Sequence, residues 1–359
     1  MAKIHNFSAG PSILPQEVFE QASQAVLNFN GKGLSLLEMS HRSKDFVAVM
    51  EEAQTLVKEI LDLGDEYEVL FLQGGASLGF LISAYNMMRG NKKGAYINTG
   101  SWAGKAVKEG AWVGEADTIA SSKDANFNYI PKDYTVPHDC DYLHYTSNNT
   151  IFGTQFHHIP EVNKPLVCDM SSDIFCRPMD AKKFDLIYAG AQKNMGPAGT
   201  TLYIVKKDVL GASSANIPTM LNLKTHADKD SMFNTPPVFA VYVSMLVLRW
   251  VKQNGLQSLG DKNVAKANLL YNEVDRNSMF KGTAESEDRS LMNACFVLKD
   301  GADESLNQTF LDMCQSAGIN GIKGHRSVGG FRASMYNALP IESVQVLVDT
   351  MKEFETKFA

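Results

Sequence analysis

The stretch DLIYAGAQKNMGPAG, Asp185 to Gly199, decides the fold. Leu186 to Ala189 form an apolar run of strand length, and Gly190 and Ala191 clear space behind it. Gln192 and Lys193 follow, and then Asn194-Met195-Gly196-Pro197, a turn signature that ends any regular element. Here a lysine stands at the end of a buried strand, among small residues, with no acidic neighbour in sequence. An ammonium in such a place is costly and tends to lose its charge.

A second stretch has the same form. PLVCDMSSD, Pro165 to Asp173, is an apolar strand ending in an acid, Asp169. In an open α/β sheet ligands sit at the carboxyl ends of strands. Asp169 and Lys193, 24 positions apart, are therefore predicted at neighbouring strand ends. Two readings stay open at this point. The pair is either a buried ion pair of modest stabilising value, or the two groups that pyridoxal phosphate requires, an imine-forming lysine and an aspartate for its ring nitrogen.

Working outward, strand-like and helix-like segments alternate. PQEVFEQASQAVLNF and FVAVMEEAQTLVKEIL have helical spacing, with Pro15 suited to a helix start. EVLFLQ, GAYINTG, DYLHYTS, PLVCDMSS, LIYAGAQ and TLYIVKK read as strands, with LGFLISAYNMM and SWAGKAVKEGAWV as helices between them. Many of these strands are continuous apolar runs, the pattern of an α/β domain with a mainly parallel sheet. From about Phe239 a long helical region leads out of this domain. The segments from LMNACFVLKD onward alternate strand, helix, strand, helix, as in a small α+β domain.

Composition bounds the function. The chain has 359 residues, 44% apolar and 21% charged, with a net charge of −6. That is a soluble globular composition, long enough for a large domain with a smaller one attached. It has no basic stripe of the kind that binds nucleic acid. The most apolar run, Phe239 to Leu248, is far short of the roughly 20 residues needed to span a bilayer. No secretory signal is visible at the N-terminus, so a cytoplasmic protein is expected. Five cysteines without a C-x-x-C pair argue against a disulfide framework or zinc knuckle. The His157-His158 pair lacks H-E-x-x-H spacing, and no structural metal is predicted.

FLQGGASLGF, Phe71 to Phe80, places Gly74, Gly75, Ala76 and Ser77 between a strand and a helix. Free backbone N–H groups at such a helix start suit a phosphate, although a tight turn would use the same residues. NTGSWAGK puts Trp102 at another strand-to-helix junction, where an indole is either a core residue or a surface for stacking an aromatic ring.

Five segments then combine: SHRSKDF (Ser40–Phe46), DMSSD, YAGAQKNMGPAG, NTPPVFAVY (Asn234–Tyr242) and GHRSVGGFRASMYNA (Gly324–Ala338). Together they resemble the phosphoserine aminotransferase family of fold-type I pyridoxal-phosphate enzymes, in order over nearly the whole chain. The resemblance implies a large cofactor-binding domain, residues 16–255, with a mainly parallel seven-stranded type of sheet flanked by helices. It further implies a smaller C-terminal α+β domain, residues 256–359, on which the N-terminal segment 1–15 packs. The cofactor implied is pyridoxal 5'-phosphate, carried by Lys193 beside Gln192, with Asp169 at its ring nitrogen. Ala76 and Ser77 would form its phosphate cup, Trp102 would stack on the ring, and Thr150 would contact it from the side. Asn234 and Thr235 would complete the phosphate site of a neighbouring subunit in a homodimer. Arg332 would hold the substrate carboxylate, and His41, Arg42, His325 and Arg326 a doubly charged group.

The implied reaction moves the amino group of L-glutamate to 3-phosphohydroxypyruvate by a ping-pong route. A phosphorylated four-carbon relative from vitamin B6 synthesis is the other substrate of this class. The sequence departs from the family pattern at Asn149, where an acid is frequent, at Gly79, where glutamine is common, and at Phe233, where tyrosine is common. Two other readings compete. A cysteine desulfurase or lyase would share Lys193 and Asp169 but needs a nucleophilic cysteine on a loop, whereas Cys295 and Cys314 lie in apolar segments. A non-catalytic metabolite-binding protein could also use this fold.

Overall fold

The computed structural model describes residues 4–359. In chain order the strands are β1 (His5–Asn6), β2 (Tyr67–Leu72), β3 (Lys93–Asn98), β4 (Glu115–Ser121), β5 (Tyr142–Thr146), β6 (Leu166–Asp169), β7 (Leu186–Gly190), β8 (Thr201–Lys206), β9 (Phe280–Gly282), β10 (Asn293–Leu298), β11 (Ile319–Asn320) and β12 (Phe331–Ser334). The α-helices are α1 (Gln16–Leu27), α2 (Lys44–Ile60), α3 (Gly75–Met87), α4 (Ser101–Gly110), α5 (Leu223–Ala227), α6 (Val238–Asn254), α7 (Leu256–Arg276), α8 (Ser305–Ser316) and α9 (Ile341–Phe358).

Seven strands form one sheet in the order β2-β8-β7-β6-β5-β3-β4. All run parallel except β8, which is antiparallel to both of its neighbours. The mainly parallel sheet predicted from the apolar runs is thus present. Every residue of β5, β6 and β7 is buried, because the sheet is covered on both faces. The side chains of Val167, Leu186, Tyr188 and Tyr203 pack with α3 and α4 on one face. Those of Cys168, Ile187, Leu202 and Ile204 pack with α1, α2 and α6 on the other. Helix α6 carries many β-branched residues, yet it is helical and buried over most of its length between α1, α2 and the sheet.

The other segments build a second core. β12-β10-β9 form an antiparallel sheet, and α7, α8 and α9 close over it. At its centre Phe280, Phe296, Phe310, Phe331 and Phe354 meet with ring centroids 4.7–5.9 Å apart. Phe7 joins this core, and β1 pairs in parallel with β11.

Three details differ from the sequence reading. The helical region after Phe239 is two helices, broken at Gly255 with φ +75°. The turn read across Gly74 to Ser77 is confined to Gly74 (φ +100°) and Gly75 (φ +64°), so Ala76 and Ser77 already belong to the first turn of α3. Strand β4 was not predicted: EADTIAS has no apolar alternation, because it is a half-exposed edge strand paired only with β3.

Candidate active site

The ends of five strands converge. β6 and β7 pair with Asp169 opposite Tyr188, so Asp169 and the Gly190–Lys193 turn leave the sheet side by side. Thr150 follows the end of β5, Trp102 follows β3 in α4, and Gly74–Ser77 follow β2. This is the carboxyl edge of the parallel strands, where helix starts and strand-end loops leave room for a ligand.

Asp169 and Lys193 form no salt bridge. Lys193 Nζ donates to Thr150 Oγ1 at 2.8 Å. Asp169 Oδ1 accepts from Ser171 N at 3.0 Å and Ser171 Oγ at 2.7 Å. Asp169 is 4% exposed, and no donor among the described residues reaches its Oδ2. The two groups are nevertheless coupled electrostatically. Burial lowers the Lys193 pKa to about 8, with the Asp169 carboxylate opposing the fall and the Arg332 guanidinium adding to it. Burial also pushes the Asp169 carboxyl above its usual range, against the pull of Lys193 and of the Ser171 donors. The ion-pair reading fails on geometry, since each group is bonded to a different neighbour.

The surroundings fit a flat ring bearing a phosphate. The N–H groups of Gly75, Ala76 and Ser77 open α3 and have no helical acceptor. They face outward with the positive end of the helix dipole behind them. Gln192 and Lys193 are partly exposed while Asn194 to Gly196 behind them are buried, so the lysine turn opens toward the same side. Lys193 Nζ stands 5.8 Å from the Trp102 ring centroid. The indole N–H of Trp102 is buried without an acceptor among the described residues. Pyridoxal phosphate matches these features: an amine for its aldehyde, a free carboxylate oxygen for its ring N–H, an indole face for its ring and a helix start for its phosphate.

A group of cations flanks the lysine. Arg332, on β12, donates from Nη1 to Thr150 O at 3.1 Å, while its buried Nε lacks a partner among the described residues. His325 is held below its ordinary pKa by burial and by the nearby charges of Arg332, Arg326 and Lys105. Arg332, His325 and Arg326 therefore share one electropositive neighbourhood, to which Lys105 was not assigned from sequence.

The remaining candidates lie elsewhere in the chain. His41 and Arg42 precede α2, whose start is capped by Ser43 accepting from Phe46 N at 3.3 Å. Arg42 is exposed, and His41 Nε2 is buried without a partner among the described residues. No hydrogen bond or ion pair among the described residues joins them to His325, Arg326 or Arg332. Asn234 and Thr235 form a loop beside the α3 start, where Gln73 Nε2 donates to Thr235 O at 2.8 Å.

The three departures from the family pattern are accommodated differently. At Gly79 an added Cβ would lie 2.6 Å from the Tyr188 ring, so α3 approaches β7 only because no side chain intervenes. Asn149 is buried and donates from Nδ2 to Thr154 Oγ1 at 2.9 Å. Phe233 is 41% exposed beside the Asn234–Thr235 loop.

Two contributors escaped the sequence reading. Ser171 orients Asp169 and also accepts from Gly190 N at 3.0 Å, tying the two strand ends together. Its position two residues after the acid is the signal, since Asp side chains commonly bond the backbone N–H two residues on. The N-terminal segment also reaches the lysine turn: Ser12 N donates to Gln192 O at 3.1 Å, and Ser12 Oγ donates to Lys193 O. No local pattern announces that contact.

The fold and this site define a class of protein. The model of the aminotransferase class-V family matches residues 4–347, and the chain belongs to that family. It is a pyridoxal-phosphate-dependent transaminase. The phosphoserine aminotransferase of Flavobacterium psychrophilum is 61% identical over 357 residues, 99% of either chain. A solved phosphoserine aminotransferase, studied for radiation damage of its Schiff base, superposes with a TM-score of 0.96 at 44% identity, covering 99% of this chain and 100% of its own. The phosphoserine aminotransferase of Bacillus circulans subsp. alkalophilus superposes at 0.95 and 41% identity, with 99% of both chains covered. The desulfurase alternative also lacks its nucleophile, since all five cysteines are buried, Cys295 in β10 and Cys314 in α8.

Proposed function

We propose that this chain is a phosphoserine aminotransferase, moving the amino group of L-glutamate to 3-phosphohydroxypyruvate to give O-phospho-L-serine and 2-oxoglutarate. The observation that carries this reading is the placement of Arg332 near Lys193, with His325 and Arg326 in the neighbourhood of Arg332. One arginine suffices for a carboxylate, which its planar fork binds in bidentate fashion. The additional Arg326 guanidinium, with the His325 imidazole beside it as a hydrogen-bonding partner, suits a second, doubly charged group.

Pyridoxal phosphate, when bound, supplies an aldehyde and an electron-withdrawing ring that accepts the charge left at the substrate Cα. The chain's own residues do the rest. Ser77 and the N–H groups opening α3 would hold the cofactor phosphate, and Trp102 would offer its indole face to the ring. Asp169, whose orientation Ser171 fixes, would hold the proton of the ring nitrogen. Lys193, with a pKa near 8, gives up its proton readily at neutral to mildly basic pH. It then serves as the base that takes the proton from the substrate Cα. Thr150 holds the lysine amine, and its carbonyl orients Arg332 toward the substrate carboxylate.

We read residues 16–255 as the cofactor domain, and residues 256–359 with the N-terminal segment as the smaller domain. The separate apolar cores and the place of Phe7 in the second of them support this division; residues 1–3 of that segment lie outside the described residues. We also place this enzyme in the cytoplasm, in keeping with the lack of any helix among the described residues that is long and apolar enough to cross a membrane.

We further propose a homodimer in which His41 and Arg42 reach the partner's substrate pocket, and Asn234 and Thr235 its cofactor phosphate. Large apolar side chains lie exposed next to these residues, with Leu34 at 50%, Leu37 at 61% and Phe233 at 41%. Such exposure close to charged site residues marks an association surface. Mixing Lys193→Ala protein with Arg42→Ala protein, after subunit exchange, is expected to restore about a quarter of wild-type activity, because half the dimers are mixed and each holds one intact site. No recovery, with exchange shown by light scattering of a tagged chain, overturns the shared site.

The phosphate reading has its own test. Arg326→Ala is expected to lower kcat/KM for phosphoserine by at least about tenfold, the value of one charge-assisted hydrogen bond. Unphosphorylated serine should be little affected, as should cofactor affinity. Equal losses on both substrates would reduce the assignment to an aminotransferase of another substrate.

A further inference from the structure

Lys266, in α7, is 1% exposed and makes no ion pair with any carboxylate among the described residues. Its Nζ donates to Met335 O at 2.9 Å and to Tyr336 O at 2.8 Å, the carbonyls just beyond the end of β12. Burial lowers its pKa to about 7, with the Cys176 thiol opposing the fall and Lys262 adding to it. Charged or neutral, the amine keeps an N–H for each carbonyl. Burying such a group is costly, and a methionine of similar length would fill the same space without that cost.

What Lys266 holds is a junction. The adjoining Asn337 donates from its backbone N–H to Asn194 Oδ1 at 3.0 Å, and Asn194 is the residue after Lys193. Asn337 Nδ2 donates to Phe175 O at 2.9 Å, and Asn194 Nδ2 to Ile174 O at 2.6 Å. One turn before Lys266 on α7, Asn263 Nδ2 reaches both Asn337 Oδ1 at 2.8 Å and Cys176 O at 2.9 Å. Tyr336 OH donates to Ala9 O at 2.7 Å, in the segment that touches the lysine turn. Five residues, Lys266, Asn263, Asn337, Asn194 and Tyr336, thus tie α7, the end of β12, the segment after Asp169, the N-terminal segment and the Lys193 turn into one knot.

We infer that Lys266 is a positioning residue: by holding the carbonyls of Met335 and Tyr336 it locks the end of β12, which carries Arg332, to the turn that carries Lys193. The Lys193 turn has independent anchors in Ser12, Thr150 and Ile174. Arg332 is attached through its strand and Thr150. Met335 follows Arg332 by three residues in the same segment, whereas the Lys193 turn is reached from there through Asn337 and Asn194. Loosening the knot therefore shifts Arg332 before Lys193, and substrate binding suffers before turnover does. This rests on the proposed role of Arg332 as the carboxylate ligand.

The test uses the full chain with Lys266→Met. KM for glutamate is expected to rise by about tenfold, with kcat kept within about twofold, the loss of one charge-assisted hydrogen bond's worth of alignment. In the cofactor-free protein, amide hydrogen exchange should quicken both in 331–338 and in 190–197, while β3 and β4 stay unchanged. Lys266→Gln, one bond shorter but still a donor, should shift both readouts in the same direction by less, and it carries the test if the methionine variant does not fold. A lowered Tm with KM unchanged, or faster exchange confined to α7, makes Lys266 merely structural and overturns the inference. Arg332→Ala run alongside separates the two readings. If that control leaves KM unchanged, the role of Arg332 falls and the exchange pattern alone decides Lys266.

Discussion

Lys193→Ala is expected to lose at least about a thousandfold in kcat while remaining folded, because one side chain supplies both the amine that carries the cofactor and the base that moves the Cα proton. The fold should tolerate the change. Among the described residues the Lys193 side chain makes a single hydrogen bond, to Thr150. Removing an amine whose charge is already disfavoured by burial deletes a desolvation cost along with that bond. The measurement is turnover with glutamate and 3-phosphohydroxypyruvate, together with calorimetric Tm and the cofactor's absorbance. In the wild type the band near 400–430 nm should shift on adding glutamate, and in the variant that response should vanish. Turnover within tenfold of wild type would remove Lys193 from the chemistry.

Asp169→Ala should cost about a hundredfold or more in kcat and weaken cofactor retention, since a buried charge aimed at a developing cation is among the largest single contributions to such sites. The variant also tests the electrostatics without cofactor. Asp169 is the main influence holding the Lys193 pKa up, against burial and Arg332. With the carboxylate gone, the ammonium loses its stabilising partner, so the Lys193 amine of the cofactor-free protein should titrate below about 8. The pH dependence of Lys193 labelling measures this. A midpoint that stays put or rises would show that the two groups are not coupled. Asp169→Asn, which retains the shape and one acceptor oxygen, should follow the alanine variant in that titration.

Much of the sheet was legible in advance because its strands are buried on both faces and read as unbroken apolar runs. LIYAG and LVCD could hardly be anything but central strands, and their polar ends marked the edge where a ligand binds. Edge strand β4 was not legible, because none of its residues is buried and nothing in EADTIAS alternates. The break at Gly255 was hidden within a continuous helical pattern, where only the positive φ of the folded chain reveals it.

The sequence by itself determined that Asp169 ends one buried strand and that Lys193 closely follows another, since local periodicity and burial dictate where a strand stops. Its combination of HR and RAS motifs indicated the family. Only the tertiary structure decided that the two groups are not an ion pair, that Ser171 turns one carboxylate oxygen away and leaves the other open, and that Ser12 and the Lys266–Asn337 knot hold the lysine turn and Arg332 together. Apart from the local Ser171–Asp169 bond, these are contacts between residues tens to hundreds of positions apart. Hydrogen bonds are satisfied by whatever donor the packing brings within about 3 Å, and no local pattern records which donor that will be.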